Sequence, residues 1–266
     1  MIRNIKLTRT LWLLCAVLAF FASVAGLVYP DMYKPWVSQT VLPGMVSQDL
    51  TTLIVAVALF ILALRLKSSS TKTPIWVLGM LAYLFYAYGI YSIERVYTVF
   101  YFLYLAIFGL SFYSIVYTIA NLSKEGLRSI QQKRLPRDMA IIFMLLNPLL
   151  FYPLWTVQLL SIITSGQQLQ NTYSIYILDM AIVLPAMIII AAMAAKNKGL
   201  GLLLAPAKLI NGFILLFSVA LGALFRPFFQ LEFILSEIFL YLILSLVFLL
   251  ITVLYLRSMR FNLDHS

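Results

Sequence analysis

Two aspartates beside or within apolar runs are the residues of this sequence with the most evident chemical potential. Asp179 lies in "YILDMAIVLPAMIII" (residues 176–190), and Asp49 opens the run "DLTTLIVAVALFILAL" (residues 49–64). An ionised carboxylate in hydrocarbon is costly, so such a residue either caps a helix near the membrane surface or binds an ion or a proton. Capping is the favoured interpretation for Asp49, which follows polar residues. Ion binding is favoured for Asp179, which follows three aromatic or aliphatic residues.

Further polar side chains inside the apolar runs complete the predicted ion- or solute-binding set. Glu237 is expected about two turns into its helix, where it either joins the site or pairs with Arg226. Lys208 either extends its ammonium to the basic face or is a buried partner for a carboxylate. The other candidates are tyrosines, which either pack or line a polar cavity, and asparagines expected to hydrogen-bond across helices. They are Tyr86, Tyr88, Tyr104, Asn147 and Asn211.

Several kinds of chemistry lack their parts in this chain. The one cysteine, Cys15, excludes an intramolecular disulfide, and the one histidine, His265, removes the commonest metal ligand. No glycine-rich loop of the phosphate-binding type is present. Two carboxylates can perform acid–base chemistry on a lipid-like substrate, but no nucleophile–base pair accompanies them. We therefore expect no cofactor and no metal, and we favour a non-enzymatic function.

The composition predicts an all-α integral membrane protein. Of the 266 residues, 63% are hydrophobic and 11% are charged, which is too apolar for a soluble domain of this length. A helix needs about 20 apolar residues to cross the hydrocarbon core of a bilayer. Windows of that size predict eight spans: 10–29, 49–66, 74–93, 97–120, 138–163, 173–195, 200–224 and 231–256. The fifth span contains Pro148 and Pro153, so we expect a kink there.

Basic residues predict the orientation of these spans. With both termini on the cytoplasmic side, the connections on that side hold 15 of the 19 lysines and arginines. The opposite connections hold only Lys34, Arg95 and Arg226. This alternation predicts an inner-membrane protein with cytoplasmic termini. The same basic face is expected to attract anionic lipids, so the net charge of +10 requires no nucleic-acid partner.

The beginning of the chain also has features of a secretory signal. A basic start, an apolar run and the small residues Ser23, Val24 and Ala25 resemble a signal peptide with its cleavage site. The apolar run continues past that site to Val28, so a retained first span is the favoured interpretation. Cleavage of residues 1–25 would leave seven spans in the same orientation.

An internal similarity predicts two four-helix halves, residues 1–130 and 131–266. In "SQDLTTLIVAVALFILALRLK" (47–67) and "ILDMAIVLPAMIIIAAMAAKNK" (177–198), an acidic residue is followed by a long apolar run and then by a basic residue. Four crossings per half is an even number, so the halves would share one orientation about an axis along the membrane normal. Asp49 and Asp179 would then be equivalent positions. Helix breaks around a polar centre are expected at Pro206, Asn211–Gly212 and Asn147–Pro148.

Four motifs occur in order over residues 45–206: "SQDLTTLIVAVAL", "YLFYAYGIY", "FLYLAIFGLSFYS" and "YILDMAIVLPAMI…GLLLAP". Together they resemble a widespread family of bacterial multi-pass membrane proteins whose function is uncharacterised. The resemblance implies an integral membrane protein and no particular activity. The positions that match the family pattern are Asp49, Tyr83, Tyr86, Tyr88, Asp179 and Pro185. Ala58 departs from the pattern, which often has a proline there.

Two functional hypotheses follow from these residues. The first is a small transporter or channel-like protein whose aspartates, Glu237 and tyrosines form an outward-facing vestibule for a cation or a proton-coupled solute. The second is a non-enzymatic sensor, assembly factor or subunit of a larger complex. Its membrane-protein partner, or a second copy of the chain, would dock on the basic loop "SKEGLRSIQQKRLPRD" (residues 123–138).

Overall fold

The computed structural model describes residues 1–67, 69–166 and 173–262, and its regular structure is almost wholly helical. Within these residues, eight helical segments are long and apolar enough to cross a membrane, as the sequence predicts. Their bounds are Ile5–Val28, Leu42–Leu64, Thr73–Ile93, Tyr101–Ala120, Arg134–Ser165, Tyr173–Ala195, Gly199–Phe229 and Leu235–Ser258. The all-α prediction is confirmed, and the fold fits a multi-pass membrane protein.

In the part of the chain that the structure describes, ten α-helices build these eight spans and one connection. They are α1 (Ile5–Val28), α2 (Leu42–Leu64), α3 (Thr73–Ile93), α4 (Tyr101–Ala120), the short α5 (Lys124–Arg128), α6 (Arg134–Ser165), α7 (Tyr173–Leu178), α8 (Leu184–Ala195), α9 (Gly199–Phe225) and α10 (Leu235–Ser258). The 3-10 turns Pro30–Tyr33 and Arg226–Phe229 follow α1 and α9. Two-residue strands, β1 (Ile130–Gln131) and β2 (Arg260–Phe261), pair antiparallel.

Two of the helix starts that differ from prediction change the depth of an acidic residue. The second span begins at Leu42 rather than at residue 49, because Pro43 stands in its first turn, where a proline is well tolerated. Asp49 therefore lies two turns inside α2, and its predicted role as a cap is wrong. The eighth span begins at Leu235 rather than at residue 231. Glu237 therefore lies in the first turn of α10, not two turns deep.

The predicted helix breaks are also wrong, because the irregularity lies in the sixth span instead. Helix α6 continues through Pro148 and Pro153, and α9 continues through Pro206 and Asn211. In the sixth span, a π-turn (Asp179–Val183) separates α7 from α8, and the Leu184 N–H donates to the Asp179 carbonyl five residues earlier. Pro185, which follows the π-turn, has no N–H to donate to the carbonyl four residues before it. The regular pattern of helical hydrogen bonds is therefore already interrupted here.

Helices α3 and α9 form the centre of the bundle. Helix α3 packs against α4 and α9, and α9 packs also against α2, α8 and α10. The outer contacts join α1 to α2 and α4, and α6 to α8 and α10. At the central crossing, a Cβ on Gly79 would lie 2.8 Å from the Ala207 carbonyl oxygen, so glycine allows the two backbones to approach.

Contacts between connections assign the helix ends to two faces. On one face, Arg3 N–H donates to Asn121 O, Lys72 Nζ donates to Leu256 O, and the β1–β2 pair joins the ends of α5 and α10. On the opposite face, Gln39 Nε2 donates to Phe229 O, and Ser174 N–H donates to Glu94. The first face carries the basic connections, and we call it the basic face.

Candidate functional site

Asp49 lies in a closed environment near the face opposite the basic one. Its side chain is 1% exposed and accepts hydrogen bonds from Tyr33 Oη at 2.7 Å and from Tyr91 Oη at 3.2 Å. Tyr33 comes from the 3-10 turn after α1, outside the membrane-spanning helices. Burial raises the pKa of Tyr33 well above its ordinary value, so its hydroxyl remains protonated and donates to the carboxylate.

Tyr91 and two further tyrosines, Tyr88 and Tyr104, enclose this carboxylate. Tyr91 stacks on Tyr33 with ring centroids 5.8 Å apart and packs against Tyr104 at 5.0 Å. Tyr88 packs against both Tyr91 and Tyr104, and all four rings are fully buried. The Tyr88 hydroxyl has no hydrogen-bond partner, and Thr52 and Asp49 are its polar neighbours. We call Asp49, Tyr33, Tyr88, Tyr91 and Tyr104 the Asp49 cluster.

Asp179 lies on the π-turn and binds groups from two other helices. It accepts a hydrogen bond from Tyr86 Oη of α3 at 3.0 Å and another from Trp155 Nε1 of α6 at 3.1 Å. The side chain is half-buried. Because a π-turn adds one residue to a helical turn, it frees backbone groups and redirects the side chains beside it, and such turns often occur at functional sites.

Lys208 supplies a positive charge near Asp179 without a direct ion pair. Its Nζ donates to Asn211 Oδ1 at 2.6 Å, and its charge interacts with that of Asp179. Within the described ranges, no basic nitrogen comes within 4 Å of the Asp179 carboxylate. The Asn211 side chain is buried, and its Nδ2 has no hydrogen-bond partner. We call Asp179, Tyr86, Trp155, Lys208 and Asn211 the Asp179 cluster.

These contacts decide the alternatives for Lys208 and the asparagines. Asn211 lies one turn further along α9, away from the basic face, so the Lys208 ammonium does not extend to that face. The direct partner of Lys208 is Asn211, and only a longer-range interaction of charges relates it to the Asp179 carboxylate. The expected hydrogen bond between asparagines is wrong, because Asn147 Nδ2 donates to Phe143 O in its own helix.

The sequence suggested one vestibule that contains both aspartates, but the structure places them in two separate clusters. Helix α3 separates them: Tyr88 and Tyr91 face Asp49, whereas Tyr86 faces Asp179. Asp49 is enclosed by groups from the first half of the chain. Asp179 instead binds groups from both halves, since α3 belongs to the first and α6 to the second.

Glu237 and the predicted tyrosines also lie in different places. Arg226 Nη1 lies 3.9 Å from Glu237 Oε2 near the end of the bundle, so the predicted pairing of Glu237 with Arg226 fits the structure. Glu237 belongs to neither cluster. Tyr104 accepts a hydrogen bond from Thr98 at 3.1 Å and belongs with Tyr88 to the Asp49 cluster. Of the predicted tyrosines, only Tyr86 reaches Asp179.

Three important residues escaped the sequence interpretation. Tyr33 is in a connection 16 positions before its partner Asp49, and Trp155 is in a different span from Asp179. Gly26 of α1 makes room for the Asp49 cluster, because a Cβ there would lie 2.6 Å from Asp49 Cγ. None of these three carried a signal in the sequence. Tyr91, a fourth residue absent from the predicted set, did carry one, since it stands three residues after Tyr88 on one helix face.

Metal-binding potential and likeness to other proteins add no further function. In the residues that the structure describes, no three His, Cys, Asp or Glu side chains come together as metal ligands, and His265 lies outside those residues. Comparison with protein-family models, curated proteins and solved structures found no match. The eight apolar helices of the described residues fit the class of multi-pass membrane proteins. The function of this protein has to be inferred from the two clusters alone.

Proposed function

We propose that this protein is a small secondary transporter in which Asp179 binds a cation or a coupling proton. The observation that carries the proposal is the Asp179 cluster itself. A half-buried carboxylate in a span, an ammonium held near it without a direct ion pair, and a buried amide nitrogen with no partner together form an incompletely satisfied polar group. Ionisable residues at such depth in membrane proteins typically mark ion pathways and proton relays.

The position of Asp179 supports transport because it lies where the two proposed halves meet. Secondary transporters typically bind substrates and ions at the interface between structural repeats, beside discontinuous helices. Here the sixth span, whose regular helix is interrupted by the π-turn, presents Asp179 to α3 of the first half and to α6 of the second half. A π-turn is also a place where a helix can change its hydrogen-bond register, which an ion-dependent motion requires.

Helix packing supports the duplication into halves 1–130 and 131–266. If α1, α2, α3 and α4 correspond to α6, α7–α8, α9 and α10, each contact within one half has its counterpart in the other. The contacts between halves also correspond, since α2 packs on α9, α7 packs on α3, and α3 packs on α9. An offset of 130 residues relates Asp49 to Asp179, and the same offset relates strand β1 to strand β2.

Orientation, location and family are parts of the same proposal. The basic face is proposed to be cytoplasmic, which places both termini inside an inner or plasma membrane. On this face, the described ion pairs join only Asp138 to Arg134 and Arg137, so most basic side chains remain free to attract anionic lipid headgroups. The motifs around Asp49 and Asp179 support membership of the uncharacterised bacterial family that the sequence resembles.

Flux through the purified protein in liposomes tests the transport proposal. Internal pH is followed with a trapped dye while sodium, potassium and small organic ammonium ions are added outside. We expect one of these ions to drive proton movement in the wild type and none to do so in Asp179→Asn. Glu237→Gln is the matched control, because it also neutralises a carboxylate near a helix end and should retain wild-type flux. Equal flux in Asp179→Asn and the wild type would refute the proposal.

A further inference from the structure

The Asp49 carboxylate is buried without any positive charge to compensate it. Both of its oxygens accept hydrogen bonds from tyrosine hydroxyls, and no basic nitrogen in the described part of the chain lies within 4 Å of it. An ionised carboxylate in such a place is unfavourable unless it is paired. The titratable groups that face it from the helices around it are all tyrosines: Tyr33, Tyr83, Tyr88, Tyr91 and Tyr104.

The packing of the Asp49 cluster limits what can compensate this charge. Its four tyrosine rings are fully buried and in mutual contact, and the space beside the carboxylate exists only because residue 26 is glycine. In the described residues no positive charge faces the carboxyl within this packing. A bound proton neutralises the charge and needs no additional space, so it is the compensation that the packing allows.

A nearly continuous series of hydroxyl groups lies between the carboxyl and the face opposite the basic one. Tyr33 Oη contacts Asp49 Oδ2 at 2.7 Å, and Thr98 Oγ1 contacts Tyr104 Oη at 3.1 Å. The Tyr33 side chain also influences Tyr104, but their hydroxyls form no hydrogen bond of 3.5 Å or less. Thr98 lines a groove of about 550 Å³ whose walls include Trp36 and Tyr97. One additional hydrogen bond, between the hydroxyls of Tyr33 and Tyr104, would complete a hydrogen-bonded chain from this groove to Asp49.

We propose that the Asp49 carboxyl is a second ion site that holds a proton and exchanges it with the Thr98 groove through Tyr104 and Tyr33. In each step, a hydroxyl oxygen accepts one proton and releases its own to the next oxygen, so no oxidant, reductant or leaving group is required. This site goes beyond the transport proposal, which depends on Asp179. It remains testable if Asp179 proves to have no role in flux.

Infrared spectroscopy of the purified full-length protein tests this site directly. A protonated carboxyl has a C=O stretching band that an ionised carboxylate lacks. We expect Asp49→Asn to remove one such band at neutral pH and Asp49→Glu to move it. After transfer to D2O the band should shift as the proton exchanges. In Thr98→Val this exchange should be about tenfold slower, because one hydrogen-bonded step is lost.

A control variant and a sodium titration distinguish a proton site from a metal-ion site and from a general loosening of the bundle. Thr252→Val removes a buried threonine hydroxyl that bonds only to its own helix, and it should leave the exchange rate unchanged. If Asp49→Asn removes only bands of an ionised carboxylate, the proposed proton is refuted. If those bands shift when sodium is added, the site binds a metal ion and the proposal is likewise wrong. Equal exchange rates in Thr98→Val and the wild type would refute the path.

Discussion

Replacing Gly26 by alanine should disrupt the Asp49 cluster, because glycine creates the space for its carboxylate. The added Cβ would lie 2.6 Å from Asp49 Cγ and closer still to Asp49 Oδ2 and the Tyr33 hydroxyl. To reach ordinary van der Waals contact, which begins near 3.4 Å, the carboxylate must move away, and its 2.7 Å hydrogen bond to Tyr33 is lost.

The expected cost combines two effects. Overpacking of a close-packed interior costs about 1–3 kcal/mol, and a lost hydrogen bond costs about 1 kcal/mol. The free energy of unfolding of Gly26→Ala should therefore fall by about 2–4 kcal/mol. Unfolding of the detergent-solubilised protein, titrated with denaturing detergent and followed by circular dichroism, measures this difference.

Gly109→Ala is the matched control for Gly26→Ala. Gly109 also lies inside a membrane-spanning helix, but a Cβ there would meet nothing within 4 Å. Alanine favours helix over glycine, so this variant should be as stable as the wild type or slightly more stable. If Gly26→Ala and Gly109→Ala unfold alike, Gly26 does not create the space for the cluster and the argument fails.

Three further predictions concern the bundle centre, the Asp179 cluster and the outer ion pair. Gly79→Ala should lower the free energy of unfolding by about 1–3 kcal/mol, since its Cβ would press on the Ala207 carbonyl and separate α3 from α9; stability equal to wild type would contradict this contact. The change in the free energy of unfolding of the double variant Asp179→Asn/Lys208→Met should differ from the sum of the two single changes by about 0.5–3 kcal/mol; a difference of zero would exclude coupling between the two residues. Glu237→Gln should cost less than about 1 kcal/mol, because its partly exposed ion pair is 3.9 Å long; a larger loss would place Glu237 in a buried network.

The spans could be predicted from sequence because crossing a membrane imposes a length and a composition on each helix. Helix starts were less predictable. The residues that begin α2 include proline, glycine, serine and glutamine, whose low hydropathy hides seven helical residues before Asp49. The π-turn at Asp179 was also hidden, because its signal is one proline, and the prolines of α6 and α9 stand in continuous helices.

The members of each cluster could be predicted only where they share a helix. Lys208 and Asn211 stand three residues apart, a spacing that brings side chains together on one helix face. Tyr33 and Trp155 reach their aspartates from other segments, and the packing that brings them there leaves no periodicity in the chain. The similarity of the two halves was misleading for the same reason. It proposes that Asp49 and Asp179 are equivalent positions, but it carried no information on their different surroundings.

Carboxylate labelling from the aqueous phase tests the central claim that Asp179, and not Asp49, is the carboxylate that a solute reaches. The full-length protein in liposomes is treated with a water-soluble carbodiimide and an amine, and modified peptides are quantified by mass spectrometry. We expect Asp179 to be modified, the ion active in flux to protect it, and Asp49 to stay unmodified in its tyrosine enclosure. Modification of Asp49 with Asp179 unmodified would show that Asp49 is the accessible carboxylate and that the assignment to Asp179 is wrong.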